Sequence, residues 1–166
     1  MKNRELVYWV DLTGPAALDE IVRLTIMDTN DNVLFNHTFN TKLVDWWYSD
    51  LNGIRPEDTY NEQTFESYKD EIQKIFNRAN KLITFNASNF FLEKQGITIS
   101  TNTVVEDLAD PFRVAGDASD TIDNLCTYYG YDLPTNIYNR TGVEYTKAIN
   151  YCWHVMESNR TAQENK

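Results

Sequence analysis

A chain of 166 residues has the length of one domain and can bury the greater part of its unfolded surface around one core. With 42% hydrophobic and 13% aromatic residues it is a folded protein, so its many Asn, Asp and Thr residues do not signal disorder. The formal charge of -10, from 25 acidic against 15 basic residues, repels polyanions at long range and argues against broad nucleic-acid binding by charge alone, although screening over about 8 Å leaves room for a local basic patch.

In chain order, "ELVYWVD", "EIVRLTIMDT" and "NVLFNHTF" predict three consecutive antiparallel strands, with Asn30, Asp31 and Asn32 turning between the last two. "TFESYKDEIQKIFNRA" predicts an amphipathic helix, because Phe65, Tyr68, Ile72, Ile75 and Phe76 recur at helical spacing behind a Thr64 cap. The apolar "KLITF" reads as a buried strand, and "NASNFFLEKQG" as a helix that stops at Gly96. "NTVVED" is a fifth strand. "SDTIDNLCTYYG" then sets Ile122, Leu125, Cys126 and Tyr129 on one helical face between a Ser/Asp cap and Gly130. "GVEYTKAINYCWHVMES" carries Tyr145, Ala148, Ile149, Cys152 and Met156 as one stripe of a long last helix. The order βββαβαβαα predicts an α/β fold, a central mixed sheet of about five strands with helices on both faces, in a single domain over 1–158 and a flexible tail over 159–166.

Cys126 and Cys152 have no metal or redox spacing and read as buried, reduced thiols, which points to a cytoplasmic protein. No apolar run approaches the roughly 18 residues of a membrane span, so no membrane partner is expected, and "MKNREL" does not read as a signal peptide. The Asn-x-Ser/Thr matches at Asn36, Asn86, Asn139 and Asn159 read as products of an Asn-rich composition. His37 and His154 read as packing or surface residues, and "EDLADPFRVAGDASD" as a helix cap and turn cluster, since it lacks the spacing of a calcium loop.

The element order and several segments resemble the DnaQ-like (DEDD) 3′-to-5′ exonucleases of the ribonuclease H-like fold, over about residues 6 to 157. "DEIVRLTIMDTNDNVLFNHTFNT" is similar to that family's second and third strands, "LNGIRPED" to its "I-H-G-I-T-x-E" segment, and "LITFNAS" to its "V-x-H-N-A-x-F-D" motif. "QTFESYKDEIQKIF" is similar to its first helix and "DNLCTYYGYDL" to its late helix and loop. The resemblance implies a three-layer fold and a site for two divalent ions, Mg²⁺ or Mn²⁺, which clamp the attacking water and the leaving oxygen of a phosphodiester. In the family those ions are held by an Asp-x-Glu on the first strand and by aspartates on two helices, with a histidine as general base.

Carried over residue by residue, the pattern survives in part. Asp11 matches the first aspartate, whereas the glutamate position falls on Thr13 in a shortened turn. The next aspartate position falls on Phe90, or on Phe91 after a one-residue slip. The histidine position is Asn139, which cannot accept a proton from water near neutral pH, and the last aspartate position is Glu144. The histidine of the "H-G-I" segment is Asn52. Asp11 and Glu144 are therefore the retained catalytic and metal-binding candidates, with Glu93, one helical turn beyond Phe90, as a substitute ligand and Asp19 or Glu20 behind the turn. The plainer reading makes Glu93 a solvated helix residue and Asp19 a loop closure. In "DWWYSD" adjacent rings cannot all face one core, so Trp46 or Trp47 is a candidate contact residue, together with Asn52 and Asn86.

These losses predict a catalytically inactive or severely impaired exonuclease-like protein that binds a protein partner in nucleic-acid processing. The alternative is a metal-dependent 3′-to-5′ exonuclease with a remodelled site, and the third reading a non-catalytic nucleic-acid binder.

Overall fold

The computed structural model describes residues 4–44, 46–87, 89–111 and 121–165. Five strands form one sheet: β1 (Arg4–Leu12), β2 (Ile21–Asp28), β3 (Val33–Thr38), β4 (Ala79–Thr84) and β5 (Val104–Asp107), in the order β3-β2-β1-β4-β5. The first three run antiparallel, and β4 and β5 run parallel to β1. The helices are α1 (Ser49–Asn52), α2 (Phe65–Phe76), α3 (Asn89–Lys94), α4 (Ile122–Tyr129) and α5 (Gly142–Glu164), with short 3-10 turns at Pro56–Thr59 and Ile137–Asn139. This is the mixed-sheet α/β architecture read from the sequence.

Alternation along β1 explains the three layers. Leu6 and Tyr8 pack on one face with Leu24, Ile26 and Leu82 against Phe65, Ile72 and Phe76 of α2 and Leu92 of α3. Val7 and Trp9 point to the other face, where Ile83 meets Leu125 and Cys126 of α4 and Ala148, Ile149 and Cys152 of α5. Buried apolar side chains on both faces make the sheet the middle of a sandwich.

Local signals set the ends of these elements. The Thr64 hydroxyl caps α2 by accepting from the Ser67 amide, and Gly96 has φ 97°, a left-handed conformation that ends the α3 segment at low steric cost. The cap of α4 is Thr121, whose hydroxyl accepts from the Asn124 amide, not the preceding Ser/Asp pair, which lies outside the described residues. Residues 112–120 of the acidic stretch, read as a cap and turn cluster, lie outside them too. The last helix runs past the expected domain end at 158 and continues to Glu164, its final turns exposed and its Arg160 paired with Glu157 and Glu106. Among the described residues no helix is long and apolar enough to cross a membrane.

Candidate functional site

The carboxyl end of β1, the α3 segment and the start of α5 hold the residues singled out above. Asp11 is 4% exposed and sits opposite Arg23 in the β1–β2 register. The Arg23 Nε donates to Asp11 Oδ2 at 2.6 Å, and both side chains are almost wholly buried. Burial pushes the Asp11 carboxyl up, while the charge and hydrogen bond of Arg23 and the nearby Trp9 indole pull it back. The Trp9 Nε1 itself falls short of a hydrogen bond and is buried without a partner. A divalent cation approaching Asp11 would therefore have to displace a guanidinium.

The other family positions are built into local structure. Thr13 is fully buried, its hydroxyl donating to Asp19 Oδ1 at 2.7 Å and accepting from the Glu20 amide. The second Asp19 oxygen accepts from the Ala16 amide, so Asp19 closes the turn, as the plainer reading held. Gly14 is needed beneath it, because a Cβ there would lie 2.7 Å from both Asp19 oxygens. Glu20 accepts from the Lys42 and Leu43 amides. Lys94 of α3 ties the same turn down by donating to the Ala17 and Asp19 carbonyls.

Phe90 is 46% exposed and Glu93 is exposed on the same short helix. Asn139 is exposed in the 3-10 turn before α5. Glu144 is half-buried at the third position of α5, where its amide donates to the Thr141 cap and its negative charge suits the helix start. Its field reaches Tyr131, whose phenol is pushed up by burial first and by Glu144 next. The α5 residue that senses Asp11 is instead Tyr145, raised by burial, with Arg140 pulling it back and Asp11 adding to the rise. Among the described residues, no group of three or more His, Cys, Asp or Glu is placed to hold a metal ion.

Around Asp11 the sequence reading missed a second set of residues. Trp9 stacks on Tyr145 with centroids 4.3 Å apart and an interplanar angle of 8°. The Arg140 guanidinium lies 5.9 Å from the Tyr145 ring centroid and is anchored by Asp123 at 2.7 Å and by the Pro134 carbonyl at 2.6 Å. Where the exonuclease family would gather acids around cations, Asp11 meets Arg23, and beside it the Trp9–Tyr145 stack is flanked by Arg140, which pairs with Asp123. The signal for Arg23 was a lone base within the apolar "EIVRLTIMD", placed across a hairpin from Asp11.

Asn52 is buried, donating to the Leu12 carbonyl at 2.9 Å and accepting from the Ile54 amide. It clamps α1 to the end of β1. Trp46 is 8% exposed, packs with Val22 and Ile54, and donates to the Leu43 carbonyl, so it is a core residue and not a surface contact. Trp47 is the exposed member of the pair, at 83%. Asn86, at φ 50°, donates its amide to Asp107 beside the end of β4.

Comparison with solved structures places this arrangement. The catalytic unit of Neurospora crassa Pan2 superposes with a TM-score of 0.75 at 15% identity, over 98% of this chain and 29% of that one. The fold is that of the ribonuclease H-like 3′-exonucleases. A 3′-exonuclease solved in 3′-end recognition of a histone mRNA stem-loop shares the exonuclease fold with a TM-score of 0.68, 10% identity and coverage of 95% of this chain and 83% of that one. A chain of the yeast NOT1 MIF4G–CAF1 co-crystal structure follows at 0.63, 11% identity and coverage of 96% and 81%. No family model and no curated protein matches the sequence. The chain spans less than half of the Pan2 unit, and identities this low speak for the exonuclease fold alone.

Proposed function

We propose that this chain is an exonuclease-fold protein without efficient nuclease activity, kept as a binding module for a protein partner in nucleic-acid processing. The observation that carries this reading is the buried Asp11–Arg23 pair at 2.6 Å. It engages the carboxylate that would have to hold the first divalent ion. Thr13 spends its hydroxyl on Asp19, an apolar ring stands at Phe90, and Asn139 cannot serve as a base, so the residues present do not fit a pair of Mg²⁺ or Mn²⁺ ions.

Two observations favour a protein partner over nucleic acid. The charge of -10 opposes a polyanion. Leu18, Val44, Trp47 and Leu51 are large apolar residues more than 60% exposed on the turn after β1 and the segment before and within α1, and aromatic residues of this kind anchor protein interfaces. Tyr48 donates its amide to the Thr13 carbonyl, which holds that segment against the former cleft. The co-crystal of CAF1 with the yeast NOT1 MIF4G domain is a precedent for a protein–protein complex involving this fold.

The test is a time course on end-labelled single- and double-stranded DNA and RNA with Mg²⁺ and Mn²⁺, run beside Asp11→Ala and Glu144→Ala. No digestion above the substituted proteins is expected. Digestion that both substitutions abolish would overturn the reading and support a remodelled metal-dependent exonuclease.

A further inference from the structure

At the opposite end of β1, roughly 23 Å from Asp11 by strand rise, Arg4, Lys74 and Arg78 line a cavity of about 330 Å³. Its apolar wall is Leu6, Leu34 of β3 and Ile75 of α2, and Glu71 stands on the rim. Arg4, Lys74 and Arg78 form no ion pair among the described residues, as Lys42, Lys81, Lys94 and Lys147 do not either, but these three share one cavity lining. Nor are they needed to cap α2. The carbonyls of Gln73, Ile75 and Arg78 already accept from the amides of Asn77, Arg78 and Arg4. A protein of charge -10 thus gathers three cations, from β1, α2 and the turn to β4, against the single carboxylate of Glu71 in the lining of one apolar recess.

We infer that this cavity is the docking site for an acidic segment of a protein partner, in which an apolar side chain enters the recess and flanking carboxylates meet Arg4, Lys74 and Arg78. This rests on the reading of the chain as a protein-binding module and names the chemistry of what it binds. A small-molecule site orients its ligand with precisely placed polar groups. Here the fully buried lining residue is Leu6, and all the charge lies on exposed, flexible stems. Such a rim suits an extended segment that spans several cations. Nucleic acid would match the cations but leave the aliphatic wall of Leu34 and Ile75 unused.

The experiment titrates the 166-residue chain with the capped peptide acetyl-Glu-Asp-Leu-Phe-Glu-Asp-amide at up to millimolar concentration, observed by calorimetry and by amide chemical shifts. The controls are its Gln/Asn counterpart and a version with Ala-Ala in place of Leu-Phe. Shifts confined to residues lining the cavity are expected, with affinity about tenfold weaker for each control and for the Lys74→Glu/Arg78→Glu protein. Both substituted residues are exposed, and the circular dichroism spectrum checks that the variant folds. Absence of binding, equal binding of the neutral peptide, or indifference to the charge reversal would overturn the proposal, as would displacement of the peptide by single-stranded RNA at equal charge. The nuclease assay separates the two readings. Digestion with peptide binding intact would sink the inactive-module reading alone, and an inactive protein that leaves the peptide unbound would sink this site alone.

Discussion

Replacing Arg23 with methionine removes the guanidinium from Asp11 while keeping an unbranched stem in its place. The partner carboxylate, 3% exposed at its side chain, then has no cation within reach. Breaking a buried pair by removing one partner costs about 3–5 kcal/mol, because an uncompensated charge stays in low dielectric. For a domain of this size each kcal/mol moves Tm by about 2–4 °C, so Arg23→Met should melt roughly 6–20 °C lower. Adding Asp11→Asn removes the stranded charge and should recover part of the loss, with a coupling of about 1–3 kcal/mol in the double-mutant cycle. The pH dependence has a definite sign. Burial already raises the Asp11 carboxyl, and loss of Arg23 takes away what lowers it. A raised carboxyl favours the folded state fully below its unfolded value near 3.9 and loses that advantage as pH climbs through the folded value. The deficit of Arg23→Met at pH 7 should therefore narrow as the pH falls toward about 4. Urea unfolding followed by tryptophan fluorescence reads all four proteins. Stability of Arg23→Met within about 0.5 kcal/mol of the parent would refute the view that Asp11 is held by this pair.

Three further outcomes follow from the same packing. Trp46→Ala should cost about 3–5 kcal/mol and Trp47→Ala less than about 0.5, because the first fills the core beside Val22 and Ile54 while the second is exposed; chemical denaturation distinguishes them. Asn52→Ala leaves the Leu12 carbonyl and the Ile54 amide without their partner, and equilibrium unfolding should show a loss of about 2 kcal/mol. Cys152 is buried, and its hydrogen bond with Cys126 and its burial push its thiol up, so a thiol reagent at pH 8 should not react with Cys152 until the protein is unfolded.

Much of the fold was legible because its signals are local. The Thr64 cap and the spacing of Phe65, Ile72 and Phe76 define α2 without reference to the rest of the chain. At the site the sequence was legible only as departures from the family pattern at Thr13, Phe90 and Asn139. What surrounds Asp11 depends on two quantities that composition does not carry. One is the register of the β1–β2 hairpin, with its irregularity between Asp11 and Leu12, which sets Arg23 opposite Asp11. The other is the rotational phase of α5, where one residue, about 100° of turn, decides that Tyr145 and not Glu144 lies against Trp9. The basic cavity escaped notice for a similar reason, since Arg4 and Arg78 meet only through the parallel pairing of β1 with β4.

Arg23, Arg140 and Tyr145 are parts of one joint between the sheet and the last helix. Arg23 holds Asp11 and reaches the Arg140 carbonyl at 3.5 Å, Arg140 is anchored to Asp123, and Tyr145 stacks on Trp9, so the surroundings of Asp11 fasten α5 to β1 and β2. Gly142, the first residue of that helix, tests the claim. A Cβ there would lie 2.0 Å from Thr25 Oγ1, 3.2 Å from Thr25 Cβ and 3.4 Å from Arg23 Cδ. No side chain fits unless Thr25 or the helix start shifts. Gly142→Ala should thus cost about 1–3 kcal/mol by overpacking and disturb the indole environments of Trp9 and Trp153. Gly130→Ala, which meets nothing within 4 Å but sits at φ 79°, should cost about 1–2 kcal/mol through backbone strain alone and leave those spectra unchanged. Thr25→Ala should relieve part of the Gly142→Ala loss and none of the Gly130→Ala loss. Equal relief of both, or a Gly142→Ala protein as stable as the parent, would mean that α5 is not seated on β2 through this contact.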